Sequence, residues 1–106
     1  MSMIIQINTD KNLHVHEAFD AKLDRLLTEE LHHYSDFITR LELHLSDENG
    51  NKQGVNDKRC LIEVRIEGRQ PIAVTDHAND YEHAVKGALV KMKTVLGSIV
   101  GKLNNH

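Results

Sequence analysis

The chain has 106 residues, 40% apolar and 27% charged, with a formal net charge of −3. This length and composition make one globular domain, residues 1–106, able to bury a core without disulfides or metal and too apolar for disorder. There is no ~20-residue apolar run for a membrane helix, no signal-peptide pattern, and too little cysteine for a disulfide framework, so a cytoplasmic protein is expected.

Met3 to Asn8 alternates loosely, with Met3, Ile5 and Ile7 on one face, which predicts a short strand. From Val15 the apolar residues fall at Val15, Phe19, Leu23, Leu27 and Leu31, with Leu26 and Tyr34 beside them. That spacing predicts an amphipathic helix whose acids Asp20, Asp24 and Glu30 lie off the core stripe. Its start is weakly marked, since His16 is a poor N-cap. Phe37 to Leu45 alternates again, Leu41, Leu43 and Leu45 against Arg40, Glu42 and His44. A polar loop with Gly50 and Gly54 follows over 46–57.

Arg59 to Glu67 carries the clearest period of two, with Cys60, Ile62, Val64 and Ile66 inward and Arg59, Glu63, Arg65 and Glu67 outward. Gly68-Arg69 turns the chain into a last strand, Pro71 to Thr75, with Pro71 at its start or edge. Asn79 and Glu82 have capping-box spacing before a helix of about 24 residues from Tyr81 to Leu103. The order is βαβββα, an α+β fold: a four-stranded sheet with two helices packed on one face.

No catalytic motif is present: no phosphate-cradling glycine loop, no nucleophile elbow and no His-Glu-x-x-His helix. Asp47, Asn49 and Asn51 imitate a calcium loop, but Lys52 and Lys58 stand where glycine and a bidentate glutamate are required. Cys60 reads as inert core. The pairs His14/His16 and His32/His33 are too far apart to suggest one zinc centre, and solvated histidines are the simpler reading. A non-enzymatic protein without cofactor, metal or small-molecule substrate is expected.

Charge is unevenly distributed. Residues 1–51 hold four basic residues against ten acids; residues 52–106 hold nine against six. From His83 onward there are four lysines and no acid. On a helix Lys86 and Lys93 share one stripe, Lys91 and Lys102 another, a pattern suited to a phosphate backbone. Arg59, Arg65 and Arg69 add guanidinium groups on the outward sheet face and its turn, but Glu42, Glu63 and Glu67 share that face and predict internal pairing. No exposed Phe or Trp is available for base stacking, so a reader of folded RNA backbone and shape fits better than a single-strand reader.

Ser46-Asp47-Glu48-Asn49-Gly50-Asn51, Asp57-Lys58-Arg59-Cys60 and Glu67-Gly68-Arg69-Gln70-Pro71-Ile72-Ala73-Val74, with the element order, resemble the bacterial ribosome hibernation promoting factor and ribosome-associated inhibitor (protein Y) family from Ile4 to Leu103. The resemblance implies a fold similar to double-stranded RNA-binding domains and binding to small-subunit rRNA in the mRNA/tRNA channel, which silences idle ribosomes. By position it implies rRNA contacts at Lys86, Lys91 and Lys93, with Lys22, Arg25, Arg59 and Arg65 as further carry-overs. His16 and Asp20 depart from the family's first-helix pattern of Ser or Thr followed by a basic residue. The short tail after Leu103 implies the short form, without a C-terminal dimerisation domain. The rival reading is a protein-interaction module using the exposed sheet face or edge.

Overall fold

Apolar residues alternate along the two central strands, and that alternation decides which side of the sheet is covered. The structure, a computed structural model, describes residues 3–9, 17–48 and 57–104. Four strands, β1 (Ile4–Thr9), β2 (Ile38–Asp47), β3 (Lys58–Ile66) and β4 (Ile72–Ala78), form one sheet in the order β1-β2-β3-β4. β1 runs parallel to β2, and the other neighbours are antiparallel. The helices are α1 (Glu17–Glu30) and α2 (Tyr81–Asn104), giving the expected βαβββα order.

Leu41, Leu43 and Leu45 of β2 face Val64, Ile62 and Cys60 of β3 across the ladder, and all six are buried. Leu23 and Leu27 come down from α1 and Leu31 from the turn just after it; Val85, Ala88, Met92 and Leu96 come down from α2. Each fully buried Leu or Met contributes about 1.5–3 kcal/mol. The helices lie side by side and point the same way, because Lys22 of α1 meets Glu82 of α2 and Glu30 meets Lys93.

Several boundaries differ from the sequence reading. β2 starts at Ile38 rather than Phe37, and its register with β3 shifts between Ile38 and Arg40. The extra residue, Thr39, donates its hydroxyl to the Arg65 carbonyl at 3.1 Å. This irregularity lets Ile38 and Leu41, three apart, both face the core. α1 ends at Glu30; a 3-10 turn, His32–Tyr34, continues the chain with Tyr34 N–H bonded to the Leu31 carbonyl at 3.0 Å. The helix start at Val15 lies outside the described residues.

β2 also runs on to Asp47, inside the span expected as loop, because Asp47 and Lys58 face each other as the last ladder pair and form an ion pair at 2.8 Å. Residues 49–56 of that loop are outside the described residues. β3 begins one residue early at Lys58 and ends at Ile66, leaving Glu67 in the turn. Gly68 in this turn has φ +79, where a side chain would be strained. β4 continues past Thr75 because Asp76, His77 and Ala78 pair with Cys60, Arg59 and Lys58. The α2 cap is Asp80, not Asn79: its Oδ1 accepts the His83 backbone N–H at 2.8 Å, while Glu82 turns to Lys22.

Candidate nucleic-acid interface

α2 is held on the sheet by one face, so its polar residues divide between two flanks and a solvent-facing crest. Lys86 is exposed on the crest, and Lys102 is exposed in the last turn. Lys86 and Lys93 lie two turns apart, about 10 Å along the axis. Lys86 sits in the field of Asp80 and Glu82, whose carboxyls it helps to hold below their usual pKa.

The other two lysines meet acids. Lys91 reaches back over β4, donating to the Thr75 carbonyl at 2.7 Å and pairing with Asp76 at 3.2 Å. Lys93 crosses to α1 and pairs with Glu30 at 2.7 Å. The acid-free stretch after His83 therefore does not give acid-free lysines. Chain separation hid these partners, since Glu30 lies 63 residues from Lys93.

The further cationic positions are spread over three surfaces. Lys22 bridges α1 to α2 through Glu82, and that hydrogen bond is the main cause of the lowered Glu82 pKa. Arg25 lies on the opposite flank of α1, beside β1. Arg59 and Arg65 stand on the uncovered sheet face, 3.7 Å from Glu48 and 3.8 Å from Glu63. Arg40 on that face contacts Gln6 and lies 3.5 Å from Glu42. The sheet face is thus internally paired, as its alternating charges suggest. Lys86, Lys91, Lys93 and Lys22 share the helical side; Arg59 and Arg65 belong to the other side.

The mouth of the β2–β3 hairpin is a second ionic cluster that the sequence did not single out. Lys58 pairs with Asp47 and, at 3.2 Å, with buried Asp57, and it lies 5.9 Å from the Tyr81 ring centre. The hydrogen bond to Asp47 raises the Lys58 pKa. Glu48 takes its place beside this cluster, 3.0 Å from His77. Cys60 is buried, and desolvation, helped by Asp76, pushes its thiol up to about 12. Among the described residues, no group of three or more His, Cys, Asp or Glu side chains could hold a metal ion, and His14 and His16 lie outside them. No described helix is long and apolar enough to cross a membrane.

Fold and surface together define a small α+β domain of βαβββα order whose last helix carries lysines on its crest and flanks. A family model described as sigma 54 modulation protein / S30EA ribosomal protein matches residues 5–104. The chain belongs to that family, the one its motifs resemble. Similar solved structures include the N-terminal domain of Protein Y from Thermus thermophilus, at TM-score 0.68 and 20% identity over 93% of this chain and 99% of that one. A ribosomal subunit interface protein from Coxiella burnetii matches at TM-score 0.74 and 17% identity, over 93% and 99% of the two chains. No curated protein matches.

Proposed function

We propose that this protein binds small-subunit rRNA in the mRNA/tRNA channel and silences idle ribosomes as a stoichiometric blocker, without turnover. The observation that carries the reading is the family match across residues 5–104, and it is supported by the name of one fold neighbour, a ribosomal subunit interface protein. Lys86, Lys91 and Lys93 of α2 are the proposed primary rRNA contacts, with Lys22 beside them. Ammonium groups attract phosphate without base specificity, which suits a reader of folded RNA. Lys91 and Lys93 would exchange Asp76 and Glu30 for phosphate, so binding at these two positions costs an internal ion pair. Arg25, Arg59 and Arg65 are proposed as peripheral contacts, since they lie on other surfaces.

Co-sedimentation with purified small subunits tests the reading. Binding should be lost at high salt and competed by mRNA or initiator tRNA, and translation in vitro should fall until about one protein is bound per subunit. Salt-insensitive capture through the sheet face would instead favour a protein-interaction module. Inhibition far below stoichiometry, or cleaved rRNA, would indicate an enzyme.

A further inference from the structure

The two flanks of α1 are electrostatically different. On the α2 side its charges are matched, Lys22 with Glu82 and Glu30 with Lys93. On the β1 side Asp20, Asp24 and Glu29 line an open groove of about 710 Å³, where Arg25 is the one cation among the described residues. The floor of this groove is Ile5 and Ile7 of β1, on the covered face of the sheet, half-buried and packed against the rim of the core. Among the described residues β1 is an edge strand paired with β2 alone, which leaves its outer peptide groups to another strand. On the opposite face Ile4 is 59% exposed.

We propose that this groove is a docking site for an extended basic peptide, which adds as a fifth strand along β1. Charge complementarity selects the occupant. Three carboxylates above an apolar floor suit lysine or arginine side chains, whose alkyl stems cover Ile5 and Ile7 while their heads reach the acids. In a strand these residues recur at every second position, and the intervening side chains fall on the other face beside Ile4, where apolar residues fit. RNA is repelled by the same acids. A second copy of the chain through this edge would set acidic walls against each other. The groove uses the flank of α1 turned away from α2 and shares only Arg25, a peripheral position, with the proposed rRNA contacts.

The probe is a capped heptapeptide, Lys-Val-Lys-Val-Lys-Val-Lys, titrated into the isotopically labelled full chain, with Glu-Val-Glu-Val-Glu-Val-Glu as comparison. The basic peptide should perturb the amides of β1 and of Asp24 to Glu29, and the acidic one should not. The double variant Asp24→Lys with Glu29→Lys changes only exposed side chains and should weaken binding about tenfold. Asp36→Lys with Glu67→Lys makes the same change in net charge away from the groove and should leave affinity within about twofold. Equal weakening by both double variants, perturbation centred on another surface, or no binding at millimolar peptide overturns the proposal. Tight ribosome binding together with any of those results would sink the groove and leave the ribosome reading standing.

Discussion

The Asp76 carboxylate lies against the backbone of Gly87: a Cβ built on Gly87 would stand 1.6 Å from Asp76 Oδ2 and 2.8 Å from its Cγ. β4 and α2 approach closely there, and a methyl group has room once the Asp76 carboxylate swings aside, its Cβ standing at 3.5 Å. In an open helix, Gly→Ala stabilises by roughly 0.8–1 kcal/mol. Here the alanine must expel Asp76 and with it the Lys91 ion pair. That largely exposed pair contributes about 0–1 kcal/mol, so its loss offsets the helix gain and Gly87→Ala should leave the melting temperature nearly unchanged. In an Asp76→Ala background the same change should raise it, with a coupling of up to about 1 kcal/mol from a double-mutant cycle.

Cys60 supplies a test of strand register. Its thiol lies inside the sheet with its pKa pushed from the usual 9.0 to about 12, first by desolvation. Native protein at pH 8 should resist thiol reagents and react only on unfolding. The raised pKa also fixes a sign: stability is fully present below about 9 and declines as pH rises towards about 12, where the unfolded thiol is already ionised. Rapid labelling of folded protein would place Cys60 on the wrong face.

The three lysines of α2 should separate in effect. Lys86→Glu should weaken subunit binding about tenfold and lower the melting temperature only slightly, since the side chain is exposed and its like-charge contact with Glu82 costs about 0.2–0.5 kcal/mol. Lys91→Glu and Lys93→Glu set a carboxylate beside Asp76 and Glu30 and should lower both binding and thermal stability. Co-sedimentation with parallel melts reads both quantities. With three phosphate contacts, log affinity should fall against log salt with a slope of roughly −2 to −3.

What was legible in the sequence depended on how local each cause is. Leu41 to Leu45 and Cys60 to Ile66 revealed their faces because a strand's period is two, and α2 was plain from its spacing. Thr39 broke the period, and only its pairing with β3 shows why Ile38 faces inward. Asp76 and His77 are weak strand formers held in β4 by the ladder to Cys60 and Arg59, so β4 looked shorter than it is. The candidate lysines were visible as residue types. Their neutralising acids were not, because Asp76 and Glu30 are brought in by tertiary packing.

Acid titration should act through the junction of α1 and α2. Asp80 is held below its usual pKa chiefly by the His83 backbone N–H, and Glu82 chiefly by Lys22. Carboxyls lowered on folding add stability above their unfolded pKa values, near 4, and lose it as pH falls through the folded ones. The melting temperature should thus drop on the acid side of pH 4. Asp80→Asn keeps an acceptor for the cap and should flatten part of this drop with little change at neutral pH. Asp80→Ala should lower the melting temperature at every pH. Lys22 is exposed and Glu82 only half-buried, so added salt should shrink the Glu82–Lys22 contribution.

The parallel pairing of β1 with β2 gives the chain an order of assembly. β2, β3, β4 and α2 follow one another along the sequence, so each can dock on a neighbour just formed. β1 must instead cross the whole of α1 before Ile5 comes opposite Leu41. Such a contact closes a long loop and pairs on one edge only, so β1 joins last and opens first. Amide hydrogens of β1 should exchange at denaturant concentrations where those of β2 and β3 stay protected. The residues from Ile38 to Asn104 then act as the persistent nucleus onto which the first strand and its helix close.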